Sequence, residues 1–498
     1  MSSMFEYPAH KPLKRQGAGD GIMAVGPLRS TIDVPETGRR EGGGGNAMSS
    51  GELPTIHRDG QWAITKRGLI TERARRDPKG KFSTLAYLLN EGFLVACFRE
   101  LKVNKAPGID GVTVRQYEEN LYENIGDLIS RMKHKRYRPQ PGRRAYIPKD
   151  EKSKRPLGIP VVEDKIVQMG IKKILEAIYE VDFRDISHGF RPKRSCHDAL
   201  EVIDKAIMKE PVNYIVDMDI EKFFDSVDHR WMMECLKQRI SDPNFLRLIA
   251  RFLKAGIMEE GKYMETDKGT PQGGVVSPVL ANIYLHYVLD LWYEKQVEKE
   301  TRGYTQMTRY ADDFIVCFEH KDEAEAFGDK LRERLAKFGL RISEAKSRTI
   351  AYGREAWRQA KEQGGKPATF DFLGFTHYCA TTRKGKFRAG RQTSRKKFTQ
   401  KLKAMNQWLK EIRNRLPLEV WWKTLKQKLV GHYQYYGISG NADKLNAYYR
   451  RTVRLAFKWI NERSQKKSMT RKFFNKYLTW NPLPVPKIYH KTYTLIVA

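Results

Sequence analysis

Two stretches place carboxylates where apolar strands would end. RYADDFIVCF, Arg309 to Phe318, sets Asp312 and Asp313 between an aromatic residue and an apolar run, the layout of strand, tight turn and strand. Asp favours turns because its side chain bonds nearby backbone, so this pair alone fits a solvated hairpin tip as well as a functional one. YIVDMDIEKFFDSVDH, Tyr214 to His229, begins as a buried strand whose period of two puts Asp217 and Asp219 on one face. A carboxylate ending an apolar strand is costly unless it is paired or bound to a cation. One strand-end Asp together with Asp312 and Asp313 makes three oxygen donors. That set suits Mg²⁺, which takes few protein ligands and completes its shell with water and substrate phosphates.

The surrounding elements must bring these groups together. Arg143 to Pro160 reads as two short strands around a charged turn flanked by Lys149 and Arg155, either a solvated basic hairpin or a clamp for phosphates. Asp164 to Tyr179 reads as a helix, and SHGFRPKRSCHDAL, from Ser187, leads into another. There Arg191, Lys193 and Arg194 fit a phosphate-facing or a plain surface role equally. In GTPQGGVVSPVLANIYLHYVLD, from Gly269, a Gly-rich loop exposes Gln272 and precedes an amphipathic helix. Apolar residues from Ala324 to Phe338 recur at helical spacing until Gly339, with a strand expected at Leu340 to Ile342 and another at FDFLGFTHY, from Phe370. Helices and strands mixed in this way predict an α+β fold.

Composition narrows the partner. With 92 Lys and Arg against 59 Asp and Glu, the net charge of +33 points to a polyanion, nucleic acid first. Arg383 to Arg415 holds 13 basic residues against the single acid Glu411, with an apolar stripe from Phe398 to Leu416, and further aromatic helices follow. The five cysteines stand singly without metal-ligand spacing, which predicts buried thiols and no zinc site. No run of about 18 apolar residues and no apolar leader occurs, so a cytoplasmic protein that does not enter membranes is expected. Residues 1–80, rich in Gly, Arg, Pro and Ser, read as a disordered tail, and the folded region is expected from Phe82.

The ordered blocks KAPGIDGVT, IPKDEKSKRPLGIP, HGFRPKRS, DMDIEKFFDSVDH, GTPQGGVVSPVLANIYLH, RYADDFIVCF, GLRISEAKS and FDFLGF resemble those of bacterial group II intron reverse transcriptases, or maturases, over about residues 81–480. The resemblance implies a right-hand polymerase: an N-terminal extension at 81–135, fingers and palm at 136–378, a helical thumb and maturase region at 379–480 and a C-terminal tail at 481–498. It implies that Asp219, Asp312 and Asp313, with the backbone carbonyl of Ile220, hold two Mg²⁺ ions. Asp219 is chosen over Asp217 because the family's aromatic gate falls five residues on, at Phe224. It further implies that Lys149 and Arg155 contact the triphosphate, Gln272 lines the nucleotide pocket and Lys346 lies near the leaving phosphate, while Asp225 caps the following helix. Implied partners are an RNA template and intron RNA, a DNA primer or target, and dNTPs, with a homodimer as a candidate assembly. Many relatives append a zinc-bound endonuclease domain; no block of it is read in this sequence, so target cleavage is expected to need another source or pre-existing primers. Two other employments remain open at this point: a domesticated polymerase serving defence or DNA repair, and an RNA-binding splicing factor with a vestigial polymerase.

Overall fold

The computed structural model describes residues 56–148, 153–270, 272–463 and 468–492. Helix α1 (Ile56–Arg76) comes first, followed by α2 (Glu91–Arg99), α3 (Val114–Glu119) and α4 (Leu121–Lys133). The chain then forms β1 (Gly142–Pro148), β2 (Lys154–Ile159), α5 (Val162–Tyr179), α6 (Cys196–Lys209), β3 (Tyr214–Asp219), α7 (Phe223–Ser226), α8 (His229–Lys237) and α9 (Pro243–Leu253). A hairpin of β4 (Ile257–Glu259) and β5 (Lys262–Met264) leads to α10 (Ser277–Leu285), which runs on through two π-helical turns, His286–Asp290 and Tyr293–Val297, to α11 (Glu298–Glu300). After β6 (Thr305–Tyr310) and β7 (Asp313–Phe318) come α12 (Lys321–Ala336), β8 (Arg348–Ala351), α13 (Arg354–Glu362) and the strands β9 (Phe370–Phe372), β10 (Phe375–Thr381) and β11 (Phe387–Thr393). Helices α14 (Arg395–Ile412), α15 (Leu418–Tyr436), α16 (Ala442–Asn461) and α17 (Arg471–Trp480) complete the fold.

The central sheet runs β6-β7-β3-β8, all antiparallel. Alternation gives it two faces, each with its own core. Val216, Met218, Phe314, Val316 and Phe318 join a core built with α2, α4, α5, α8, α9, α10 and α12. Ile215, Ile315 and Cys317 join a second core with α6, β9 to β11 and α14 to α17. Asp217, Asp219 and Asp313 are odd-numbered like Ile215 and Ile315. They therefore belong to the second face, at the end of the strands. A separate sheet, β2-β1-β4-β5, stands beside this end.

Several sequence expectations change. Residues 1–80 read as a tail, but Ile56–Arg76 is helical, buries Ile70 and Ala74, and is capped by Arg239, whose guanidinium donates to Ala74 O at 3.3 Å and Asp77 O at 3.2 Å. Residues 1–55 lie outside the described residues, as do 493–498 of the proposed C-terminal tail. Val114 to Lys133, helical in spacing throughout, forms two helices, α3 and α4, that meet at Asn120. The helix after the Gly-rich loop is not amphipathic: nearly every residue from Ser277 to Asp290 is buried, so polarity cannot mark an outer face. Leu340 to Ile342 makes one bridge, Ile220 to Ile342, in place of a strand, and FDFLGFTHY is two strands folded about Leu373 and Gly374. The region after 378 is not all helical at its start, because β10 and β11 form a hairpin before the helices begin at Arg395. Leu416 falls outside α14 and is exposed. Four of the five cysteines are buried and Cys379 is half-buried, all with free thiols.

Asp242 couples the N-terminal helices to this frame. One carboxylate oxygen accepts from Leu85 N at 2.6 Å and Ala86 N at 2.8 Å, while the other caps α9 through Asn244 N and Phe245 N. Burial opposes its ionisation, but the four N–H donors outweigh it and hold the carboxyl below its ordinary value. Asp242→Ala removes a cap and strands buried donors, so urea denaturation at neutral pH should show a loss of about 3 kcal/mol. Because the folded-state pKa is depressed, this contribution is present above about pH 4 and fades as pH falls through the folded value, so the deficit should shrink in acid.

Candidate active site

The β6–β7 hairpin turns through Ala311 and Asp312, with Tyr310 paired to Asp313. Ala311 has φ 59°, the left-handed region in which glycine is the ordinary choice, so its neighbours must hold the turn. They do so from beneath. Residues 186–188 run alongside β6, with Arg309 N donating to Ile186 O and His188 N to Arg309 O, each at 2.8 Å. Gly189 then passes so close that a Cβ there would stand 2.3 Å from Ala311 N.

Arg309 is the anchor. Its side chain and that of Asp290 have no exposed surface, and they meet through Nε to Oδ1 at 2.7 Å and Nη2 to Oδ2 at 2.5 Å. The remaining donors reach Asn282 Oδ1 at 3.1 Å, Ser187 Oγ at 2.7 Å and, at the hairpin tip, Ala311 O at 2.9 Å. Asn282 returns a bond to Gly189 O at 2.7 Å. The widened π-helical turn after α10 carries Asp290 into this position.

Asp219 lies directly opposite Asp313 in the β3–β7 ladder, whereas Asp217 lies opposite Ile315 and faces Arg348 at 3.7 Å. Asp313 opens onto a cleft yet sits low between its walls. Lost hydration on the walled side, then repulsion from Asp312, Asp219 and Asp217, raise its carboxyl to about 6. Asp312 is raised mainly by burial and also by Asp219, with its own backbone N–H, Arg155 and Arg309 opposing. Lys346 Nζ sits on Asp219 Oδ2 at 2.5 Å. Among the described residues no three His, Cys, Asp or Glu side chains are gathered tightly enough to hold a metal ion. The donor chemistry nevertheless fits a hard cation: carboxylates repel one another at one end of a sheet, and an ammonium already occupies part of the place a cation would neutralise.

The cleft holds about 1220 Å³. Asp219, Asp313 and Tyr310 line its floor, Arg155 and Leu157 of β2 one side, and Lys396, Lys397 and Lys401 of α14 with Tyr435 of α15 the other. Phe224 is half-buried edge-on against Phe223, and its carbonyl accepts from Thr270 N at 2.7 Å. Gln272 is bound by both ends: Nε2 donates to Asp225 Oδ1 at 2.9 Å and its carbonyl accepts from Gly158 N at 2.6 Å, tying the Gly-rich loop to β2. Ile220 is buried beside them. Lys149 lies outside the described residues. Asp225 does not cap the next helix; Asp228 does, accepting from Trp231 N. Arg191 faces neither phosphate nor solvent, since it is buried against Glu180 and donates to the carbonyls of Arg184 and Ser187. Sequence reasoning missed the roles of Arg309, Asp290 and Gly189. The Asp–Arg pairing spans 19 residues and carries no local signal.

A family model for reverse transcriptases (RNA-dependent DNA polymerases) matches residues 147–377. The group II intron-encoded protein LtrA of Lactococcus lactis subsp. cremoris is 42% identical over 201 residues, 40% of this chain and 33% of that protein. The protein YkfC of Escherichia coli (strain K12) is 34% identical over 255 residues, 45% of this chain and 67% of that protein. An uncharacterized 91 kDa protein in the cob intron of Schizosaccharomyces pombe is 38% identical over 217 residues, 44% of this chain and 27% of that protein. The chain thus spans only about a third of the length of the Lactococcus protein.

Breaking a buried pair leaves an uncompensated charge. Arg309→Met, of similar length, is therefore expected to lower unfolding free energy by about 3–5 kcal/mol in chemical denaturation, and a loss below about 1 kcal/mol would deny Arg309 its anchoring role.

Proposed function

The chain belongs to the group II intron reverse transcriptases, and from that membership we propose that it is an RNA-directed DNA polymerase that extends a primer on an RNA template and assists the splicing and mobility of an intron. The observation that carries the reading is the register of Asp219 against Asp313 at the floor of a cleft whose opposite wall is rich in lysine. The β2-β1-β4-β5 sheet is assigned to the fingers, the central sheet to the palm, and α14 to α17 to the thumb and maturase region.

Asp219, Asp312, Asp313 and the backbone carbonyl of Ile220 are the groups that would hold two Mg²⁺. When bound, the ions make the primer 3′-hydroxyl a better nucleophile and neutralise the leaving pyrophosphate. The chain's own residues position the reactants. Arg155, on β2, reaches toward the carboxylates from the fingers and holds the triphosphate together with Lys149. Phe224 stands beside the loop of Gln272, and its ring excludes a ribose 2′-hydroxyl, so deoxynucleotides are selected. Gln272, held by Asp225 and Gly158, lines the nucleotide pocket. Lys346, which rests on Asp219, would be free to meet the departing phosphate once a cation is held there. The lysines of α14 run along the cleft as a phosphate-facing wall.

Primer extension on an RNA template with dNTPs and Mg²⁺ tests the reading. The wild-type chain should extend, and an Asp312→Ala, Asp313→Ala double variant should not. Wild-type rates from that variant would remove the polymerase assignment. In the same assay Phe224→Ala should begin to incorporate ribonucleotides; if their exclusion is unchanged, Phe224 is not the gate.

A further inference from the structure

A second basic cavity, of about 460 Å³, shares no lining residue with the catalytic cleft. Arg247, Ala250 and Arg251 line it from one face of α9, Lys254 and Ala255 follow at the helix C-terminus, and the opposite face of α9 is buried in the core. Arg138, Pro139 and Pro141, just before β1, and Tyr263 of β5 complete it. In the sheet order β2-β1-β4-β5, β2 borders the catalytic cleft and β5 is the far edge, so the cavity stands across the sheet from the carboxylates.

Its charge is uncompensated. No carboxylate lines the cavity, and among the described residues no ion pair involves Arg138, Arg247, Arg251 or Lys254. Burial, then the guanidiniums of Arg138 and Arg247, depress the pKa of Arg251. The dipole at the C-terminus of α9 favours cations at Arg251 and Lys254, but it accounts for neither Arg138 nor Arg247. Two of the arginines are also held in place: Arg251 donates to Tyr137 O at 2.8 Å and Lys135 O at 3.2 Å, and Arg138 to Lys135 O at 2.8 Å. Tyr263 is half exposed, and its ring lies against Gly256, where a Cβ would meet it at 2.4 Å. Four fixed or reachable cations beside an open aromatic face are the parts of a single-strand site, in which phosphates meet the cations and an unstacked base meets the ring.

We propose that the cavity between α9, β5 and residues 138–141 binds the phosphodiester backbone of a single nucleic-acid strand, with one base stacked on Tyr263. This site does not depend on the polymerase reading.

The full-length chain is titrated with fluorescein-labelled oligouridine and with its oligothymidine counterpart across a salt series, read by anisotropy. Arg247→Gln with Lys254→Gln, both exposed and without ion pairs, should flatten the slope of log affinity against log salt by about 1.4, or about 0.7 for each phosphate no longer neutralised. Tyr263→Ala should weaken binding about ten-fold and leave the slope unchanged. Weakened binding of both probes supports the backbone reading, and weakened binding of one alone supports it and assigns the sugar. Wild-type binding by these variants would overturn the proposal. So would an equal effect from Lys321→Gln with Lys337→Gln, at the two ends of α12, because the general positive field would then explain the binding. Thermal melting of each variant at the wild-type temperature confirms that the fold is retained.

Discussion

The geometry of the candidate site hangs on one buried ion pair, Arg309 with Asp290. Taking two charges out of water is costly, and a pair of this kind is weak support for stability as such. What it supplies here is position. The guanidinium ties its own hairpin tip, at the carbonyl of Ala311, to two distant pieces of chain: the continuous helix that bears Asn282 and Asp290, and Ser187 beside β6. With Gly189 beneath, the strained Ala311 has no room to relax, and Asp312 and Asp313 leave the turn in one direction only.

Around that anchor, the central sheet separates two cores and presents its carboxylates at an end where the second core gives way to a cleft. The same alternation that buries Ile215 and Ile315 brings Asp219 and Asp313 together. Their crowding raises the carboxyl of Asp313 and leaves an electrostatic demand that Lys346 meets in part. Across the cleft, α14 buries Phe398, Met405 and Leu409 and turns lysines outward, so packing and charge are satisfied by opposite faces of one helix.

Part of this was legible in the chain before folding. Strands β3 and β7 are short apolar runs ending in acids, and such runs declare both their burial and the faces of their side chains. The basic helical region announces itself by composition. What stayed hidden depends on distant partners. Arg309 looks like a strand residue before a turn, and nothing local shows that Asp290 and Ser187 will enclose it. Arg191 sits in a basic run that reads as surface until Glu180 folds against it. Helix α1 is hidden in a Gly-rich, charged segment, because its docking rests on Ile70, Ala74 and the remote Arg239. Asp242 holds a turn 157 residues away. The helix after the Gly-rich loop reads as amphipathic from its apolar spacing, and only its burial on all sides, which distant elements supply, shows otherwise.

For its carboxylates to work, the hairpin tip must be held from beneath. Gly189→Ala tests this most directly, since the added methyl group drives into Ala311 without touching any carboxylate, nucleotide contact or charge. Steady-state primer extension should show kcat reduced by about 100-fold, the scale of a misplacement near 1 Å, with KM for dNTP little changed and the melting temperature lowered by the backbone clash while the protein stays folded. A wild-type kcat in a folded Gly189→Ala protein would contradict the claim.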